Sequence, residues 1–236
     1  GVQTCALPIS TDKVTTNSPP FWLAPEPTSP FPPIELAMED PNGLLAVGGD
    51  LAPERLLNAY SSGIFPWYSD GEPILWWSPA PRAVLFPAEL HIPRSLKKRI
   101  RQQPFKVTIN RAFAKVVSQC AAPRAQQSET WISAEMEAAY LRLHKLGYAH
   151  SVECWQDDKL VGGLYGVLIG KLFCGESMFS HANDASKIAL VSLLTEFKLN
   201  TIEMVDIQMM SDHLEKLGAR EISRSEYKQQ LNIMVG

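Results

Sequence analysis

Two short acidic segments contain the residue types most capable of chemistry in this chain. GESMF (175–179) places a serine directly after Glu176, and DIQ (206–208) places a carboxylate two residues before an amide. Both follow apolar runs typical of strands, and a carboxylate at a strand end is held rigidly beside a cleft. Because side chains alternate along a strand, Asp206 and Gln208 are expected on one face. Such a pair could hold and orient an amine nucleophile, or it could simply cap the next helix.

The serine allows a second interpretation of the first segment. GESMF is one glycine short of the G-x-S-x-G elbow, in which the serine of an α/β hydrolase is the nucleophile. Asp206 and His213 follow Ser177 in the order that such a triad uses. However, Phe179 occupies a position where the sharp turn requires a small residue, and the preceding strands form a meander. A serine ester hydrolase that uses Ser177 therefore stays as an alternative, less favoured than a serine on a buried strand.

A basic run contrasts with the slightly acidic chain around it. RSLKKRIR (94–101) holds five cations, whereas the formal net charge of the protein is −3. At helical spacing Arg94, Lys97, Lys98 and Arg101 share one face, which would suit contacts to nucleic-acid phosphates, although a solvated face would have the same pattern. Tryptophans in proline- and threonine-flanked loops could stack on bases; they are Trp67, Trp76, Trp77 and Trp131.

Composition excludes several other classes of function. The chain has 236 residues, of which 45% are hydrophobic and 20% charged, enough for the core of one domain or two small ones. The four cysteines form no C-x-x-C pair and the five histidines form no H-x-x-x-H pair, so we expect no metal site and a reducing cytoplasm. No apolar run approaches the ~18–20 residues that a membrane span needs.

The elements that must position these residues alternate between strands and helices. Hydrophobic periodicity, caps and turns predict helices at 52–62, 93–102, 111–120, 133–146, 185–197, 212–217 and 225–233. They predict strands at 82–86, 105–109, 151–155, 160–168, 171–176 and 204–208. We expect an α+β fold in which helices pack against one mostly antiparallel sheet with an open face.

The first part of the chain has a different character. Residues 1–33 are rich in Ser, Thr and Pro and are expected to be a disordered or extended lead-in. GVQTCALPI, at its start, is the translation in one frame of a common short-read sequencing adapter, and we interpret the first ~10 residues as an assembly artefact. A small N-terminal domain is predicted at 34–86 and a larger domain at 87–236.

Long aromatic-rich segments together resemble the leucyl/phenylalanyl-tRNA–protein transferases. The resemblance covers about residues 39–230 and rests on PNGLLAVGGDL (41–51), YSSGIFPWYSDGEPILWWSPAPRAVL (60–85), TWIS (130–133), AYLRLHKLGYAHSVECW (139–155), LVGGLYGV (160–167), FCGESMFS (173–180) and DASKIAL (184–190). It implies a small N-terminal domain followed by a GNAT-like acyltransferase domain. It also implies a bacterial, cytoplasmic enzyme, expected to be a monomer. That enzyme moves Leu, Phe or Met from aminoacyl-tRNA to proteins with an N-terminal Arg or Lys, creating an N-degron, without a cofactor.

The resemblance assigns roles to residues of this sequence. It implies that Asp206, Gln208 and Glu176 are catalytic. It implies that the terminal adenosine and the aminoacyl side chain are bound by Trp67, Trp131, Leu164, Phe173 and Ile207. It implies that the acceptor stem of the tRNA is held by Arg94, Lys97, Lys98 and Arg101.

One departure from the family pattern affects the predicted site. The family reads Q-x-x-N-D-H, whereas this chain reads QMMSDH, so that Ser211 replaces an asparagine and lacks its amide donor. A tRNA- or peptide-binding homologue with impaired catalysis is therefore a further alternative.

Overall fold

The computed structural model describes residues 19–122, 132–196 and 202–236. Among these residues the strands are β1 (Phe21–Leu23), β2 (Leu44–Gly48), β3 (Phe65–Pro66), β4 (Leu75–Trp77), β5 (Arg82–Leu85), β6 (Lys106–Ile109), β7 (Ala149–Gln156), β8 (Lys159–Ile169), β9 (Leu172–Ser180), β10 (Met204–Gln208) and β11 (Arg220–Ile222). The α-helices are α1 (Pro53–Ser61), α2 (Arg94–Arg101), α3 (Phe113–Ala121), α4 (Ala134–Lys145), α5 (Ala185–Thr195), α6 (Asp212–Glu215) and α7 (Arg224–Val235).

The strands form two sheets. The smaller has the order β1-β2-β4-β3 and the larger the order β11-β5-β10-β9-β8-β7-β6. Within the larger sheet, as far as the structure describes it, β9 and β10 pair in parallel and the other neighbours are antiparallel. The predicted α+β class with a mostly antiparallel sheet is thereby confirmed. Because β5 belongs to the larger sheet, the division of the chain at residue 86 stays a prediction.

Helices cover both faces of the larger sheet. Leu164 and Tyr165 are adjacent on β8, so their side chains point to opposite faces. Leu164 packs in a core cluster with residues of α5 such as Leu190. Tyr165 packs in a different cluster, which includes Tyr140 of α4 and Val116 of α3. The expected open face is therefore wrong, because the apolar residues of α3 and α4 bury the face that was expected to be open.

Local signals explain where several elements begin. α1 starts with proline at its first position, where the missing N–H costs no helical hydrogen bond. Ser133 caps α4 by accepting a hydrogen bond from the backbone N–H of Met136 at 3.2 Å. In α2 the buried Leu96 faces the core. Over the described residues, no helix combines the length and the hydropathy needed to cross a bilayer.

The parallel pair of strands separates part of the way along. β9 and β10 pair from Leu172 with Met204 as far as Cys174 with Asp206. β9 then continues to Ser180 beside β8, whereas β10 becomes irregular between Asp206 and Gln208. Gln208 has a φ of 71°, in the left-handed region that few residues other than glycine adopt. The two strands diverge from this point and leave an opening in the sheet.

Candidate functional site

A cavity of about 550 Å³ lies at this opening. The structure brings together there most of the residues predicted from sequence to bind the aminoacyl end or to act on it; they are Trp67, Leu164, Phe173, Glu176, Ile207 and Gln208. The cavity shares Met178 and His213 with a neighbouring polar cleft of about 880 Å³ near the start of α5. Asp206 lies directly behind the cavity wall, with 1% of its surface exposed.

One side of the cavity is hydrocarbon. We call it the apolar half; it consists of Leu164, Phe173, Leu190, Val205, Ile207 and Leu214. These side chains belong to one core cluster on the α5 face of the sheet or pack against it. The apolar half offers no charged group, so it suits an aliphatic or aromatic hydrocarbon side chain of a ligand.

The other side of the cavity is polar. We call it the polar half; it consists of Glu176 and Gln208 at the cavity wall, with Asp206, Arg82, Tyr60, Tyr140 and Tyr227 behind them. Its members come from β9 and β10 and also from α1, β5, α4 and α7. Hydrogen bonds link them into two connected groups, one centred on Asp206 and one centred on Glu176.

Asp206 accepts hydrogen bonds at both carboxylate oxygens. The guanidinium of Arg82 donates from Nε to Oδ1 at 2.8 Å and from Nη2 to Oδ2 at 2.7 Å. The Tyr227 hydroxyl donates to Oδ2 at 2.8 Å, and the backbone N–H of Gln208 donates to Oδ1 at 2.9 Å. Burial acts to lower the pKa of Arg82, but the charge and hydrogen bonds of Asp206, together with Tyr227, outweigh it and raise that pKa above its usual value.

Glu176 is held by two tyrosines. Its Oε1 accepts from the Tyr60 hydroxyl at 2.8 Å, its Oε2 accepts from the Tyr140 hydroxyl at 2.5 Å, and the two hydroxyls lie 2.8 Å apart. Burial raises the pKa of Glu176 to about 7, against the lowering effect of the bonds from Tyr140 and Tyr60. Two hydroxyl protons serve only two of these three oxygen–oxygen contacts, and the third is satisfied in the form of Glu176 whose carboxyl carries a proton.

Gln208 connects the two groups. Its backbone N–H bonds to Asp206, and its side-chain Nε2 donates to Glu176 Oε1 at 3.3 Å. The strand irregularity replaces simple alternation here, so Asp206 contacts the backbone of Gln208 and not its side-chain amide. In the described part of the chain the amide oxygen of Gln208 has no hydrogen-bond partner, and Gln208 lines the cavity. That oxygen is thus available to accept a hydrogen bond from a ligand.

The predicted nucleic-acid contacts lie in two places. Trp67 is 39% exposed at the cavity, with its ring centroid 5.6 Å from that of Trp77. Trp131 lies outside the described residues. On α2, the side chains of the predicted basic face are exposed and lie outside the cavity lining; they are Arg94, Lys97, Lys98 and Arg101.

Ser177, Asp206 and His213 do not form a serine-hydrolase triad in the described part of the chain. Ser177 lies inside the continuous strand β9, where there is no sharp strand-to-helix turn. The side chain of Asp206 bonds to Arg82, Tyr227 and Gln208, and among the described residues it does not bond to His213. Ser211 lines the cavity, and its buried Oγ has no hydrogen-bond partner in the described chain.

Sequence reasoning did not single out four residues of the polar half. Tyr60, Arg82 and Tyr140 lie inside segments that carry the family resemblance, so those segments held a usable signal for them. Tyr227 lies in the last helix and had no such signal. Within the described ranges, no group of three or more His, Cys, Asp or Glu side chains could hold a metal ion.

Known proteins match the chain over most of its length. The family model described as leucyl/phenylalanyl-tRNA protein transferase matches residues 84–232, and its N-terminal domain model matches residues 49–80. A leucyl/phenylalanyl-tRNA–protein transferase of Chromobacterium violaceum is 56% identical over 206 residues, which are 87% of this chain and 88% of that protein. One of Pseudomonas fluorescens is 57% identical over 206 residues, 87% of this chain and 91% of that protein.

A solved structure of a GCN5-related N-acetyltransferase from Kribbella flavida is also similar. It is 9% identical, with a TM-score of 0.35, and the similarity covers 72% of this chain and 61% of that one. This score is too low to support a conclusion about the present chain.

Proposed function

The chain belongs to the leucyl/phenylalanyl-tRNA protein transferase family, and from this premise we propose that it is an aminoacyltransferase that moves an amino acid from aminoacyl-tRNA to proteins. The donors are Leu-tRNA and Phe-tRNA, and also Met-tRNA. The acceptors are proteins with an N-terminal Arg or Lys, and the product carries an N-degron. The enzyme works as a monomer in the bacterial cytoplasm.

The observation that carries this proposal is the division of one cavity into an apolar and a polar half. The apolar half, which includes Leu164, Phe173 and Ile207, would take the hydrocarbon side chain of the aminoacyl group. The polar half would then lie against the ester and the incoming amine. A Leu or Phe ester of a ribose combines these two chemistries in one ligand.

The reaction needs positioning more than activation, because the aminoacyl ester is already reactive. The uncharged α-amine of the acceptor attacks the ester carbonyl carbon, the new C–N bond forms and the ester C–O bond breaks. One proton passes from the amine nitrogen to the ribose oxygen that leaves, so the products are an amide and a free hydroxyl. The Gln208 amide oxygen accepts a hydrogen bond from the amine and fixes its direction of attack, which is the kind of effect that orientation supplies.

Glu176 has two possible tasks at the same site. Its carboxylate could meet the cationic side chain of the acceptor, or it could hold the α-ammonium before that group loses its proton. A pKa of about 7 means that both forms of Glu176 are populated near neutral pH. Either task needs the ionised form, which pairs with a cation.

Binding of tRNA would use two surfaces, one at the cavity and one on α2. Trp67 stacks on the terminal adenine, together with Trp131. The exposed cations of α2 hold phosphates of the acceptor stem without reading sequence.

A transfer assay tests the proposal directly. Labelled leucine from Leu-tRNA should appear on a peptide that begins with Arg, and should not appear on a matched peptide that begins with Ala. Absence of transfer with intact Leu-tRNA contradicts the proposal, and salt-sensitive binding without transfer identifies the impaired binding homologue that Ser211 suggests. Hydrolysis of a generic ester that Ser177→Ala abolishes would identify the esterase.

A further inference from the structure

We propose that Arg82 is a positioning residue for the transfer reaction, acting through Asp206 on Gln208. Arg82 is 2% exposed and does not line the cavity, so it cannot touch the substrate. Through Asp206 it controls instead the orientation of Gln208, which lines the cavity. This inference rests on the proposed transfer reaction and deepens it.

Arg82 holds Asp206 by two hydrogen bonds. The guanidinium binds both carboxylate oxygens with a side-on pair of bonds, Nε to Oδ1 and Nη2 to Oδ2. Its plane is fixed in turn between two rings, because its central carbon lies 4.9 Å from the centroid of Phe65 and 4.7 Å from that of Tyr227. Lysine cannot reproduce this arrangement, since an ammonium has neither the planar fork nor a face for stacking.

Asp206 in turn holds the backbone of Gln208. Oδ1 accepts the backbone N–H of Gln208 at 2.9 Å, and Gln208 has a φ of 71°. A glutamine in the left-handed region is strained and persists only where its surroundings impose it. The Asp206 carboxylate supplies that constraint, and it can do so only while the two hydrogen bonds from Arg82 keep it correctly oriented.

The contacts of Asp206 also determine whether it can accept the proton that the attacking amine loses. The four hydrogen bonds to Asp206, from Arg82 twice, Tyr227 and Gln208, occupy the acceptor positions of the carboxylate. Asp206 therefore has no position left to take a proton from the attacking amine. The amine proton instead passes to the departing ribose oxygen, and Asp206 contributes geometry alone.

Single-turnover transfer from pre-loaded Leu-tRNA to saturating Arg-peptide tests the proposal. Arg82→Lys should lower the rate of the bound complex by about 10- to 100-fold, because small displacements of a positioning group cost that much. The dissociation constant for Leu-tRNA should stay within about twofold, since Arg82 does not reach the ligand. Tyr227→Phe removes one bond to Asp206 at nearly constant volume and should lower the rate by about two- to fivefold.

Arg55→Lys is the matched control. Arg55 is 0% exposed and does not line the cavity. Its guanidinium donates hydrogen bonds to the backbone carbonyls of Ala24 and Glu26. The Arg55→Lys substitution should therefore lower the free energy of unfolding and leave the single-turnover rate of the folded enzyme unchanged. An equal loss of rate in Arg55→Lys and Arg82→Lys would overturn the proposal, because both would then act through general stability.

A double-mutant cycle with Asp206 decides whether Arg82 acts through that residue. Arg82→Gln and Asp206→Asn each leave one buried charge unpaired, whereas the double variant leaves none and should fold better than either. If the proposal is correct, the double variant loses no more rate than the worse single variant. Losses that multiply, or an unchanged rate in Arg82→Lys while the wild type is active, would overturn it. An inactive wild type would contradict the proposed function itself.

Discussion

The two halves of the cavity are built in different ways. The apolar half comes from strands β8, β9 and β10 and from helices α5 and α6, and its residues pack in one cluster or against it. The polar half gathers side chains from α1, β5, α4, β9, β10 and α7, and joins them by directed hydrogen bonds. The apolar half is held by non-directional packing, and the polar half is held by directed hydrogen bonds.

This difference determines what each half can contribute. Apolar packing tolerates changes of shape and sets which hydrocarbon fits, so the apolar half should control the choice of amino acid. Hydrogen-bonded charges fix atoms to a fraction of an ångström, so the polar half should control the rate.

The largest effect is expected at Gln208. Gln208→Gly removes the side chain that faces the amine but allows the φ of 71° without strain. We expect transfer to slow by about 100-fold, while the free energy of unfolding stays equal or rises by up to ~1 kcal/mol. Single-turnover rates and urea denaturation measure the two quantities. Gln119→Ala, in the neighbouring cleft, is the control and should change neither.

A tenfold effect on selectivity is expected in the apolar half. Ile207→Ala enlarges the cavity and should shift the ratio of kcat/KM for Phe-tRNA over Leu-tRNA upward by about tenfold, since a few methylenes are worth that much discrimination. Competition between the two labelled donors measures the ratio. Ile188→Ala changes the same core cluster without touching the cavity and should leave it unaltered. A change in rate without a change in the ratio would contradict the assignment of the two halves.

A smaller, pH-dependent effect is expected at Glu176. Its pKa is about 7, so the carboxylate is ionised above that pH and can attract a cationic acceptor only there. The kcat/KM of the wild type for an Arg-peptide, divided by that of Glu176→Gln, should rise through pH 7 to about five. A factor of this size corresponds to one ion pair of ~1 kcal/mol. Taking the ratio cancels titration of the peptide amine. Ser177→Ala should keep the wild-type profile, and a flat ratio would exclude an ionic role for Glu176.

The same group should affect stability with a defined sign. The pKa of Glu176 rises from 4.5 to about 7 on folding, so between these values the folded protein binds more protons than the unfolded chain. The free energy of unfolding of the wild type, relative to Glu176→Gln, should therefore fall as pH rises from 4.5 to 7 and level off above. Urea denaturation at pH 5 and pH 8 measures this difference. A difference that grows toward pH 8 would contradict the direction of the shift.

The smallest effects are expected outside both halves, on α2. Lys97→Ala should weaken binding of tRNA about threefold and reduce the slope of log affinity against log salt by about 1, without changing the single-turnover rate. Filter binding over a salt series measures both. Lys145→Ala, an exposed lysine at the end of α4, is the matched control. If Lys145→Ala has the same effect, the contribution is a general one of net charge.

The apolar half was largely predictable from sequence, and so was the order of most helices and strands. Runs of apolar residues indicate buried strands, and Leu164, Phe173 and Ile207 all line the cavity; their role in binding the aminoacyl side chain stays a prediction. The strand ending was less predictable: β9 was expected to stop at Glu176 but extends to Ser180. Its last residues pair with Gly162–Tyr165 of β8, and such pairing is not visible in the local sequence.

The polar half was predictable only in its acidic residues and its glutamine. Arg82 and Tyr227 reach Asp206 across 124 and 21 residues of chain, and no local period encodes such distances. The short strands β1 to β4 and β11 were also missed, because segments of two to five residues leave too little alternation to recognise. What sequence cannot supply is therefore the set of hydrogen-bond partners that only the folded chain brings together.

The position of Tyr227 gives the enzyme an order of assembly during its synthesis. Its ring fills the space beside Gly63 near the start of the chain, where an added Cβ would lie 2.6 Å from it, and its hydroxyl completes the contacts of Asp206. A ribosome adding 5–20 residues per second needs on the order of 10 s to proceed from Arg82 to the last helix. Until α7 has been synthesised and has folded, the nascent chain lacks the Tyr227 hydroxyl, so the set of hydrogen bonds to Asp206 is completed late in synthesis.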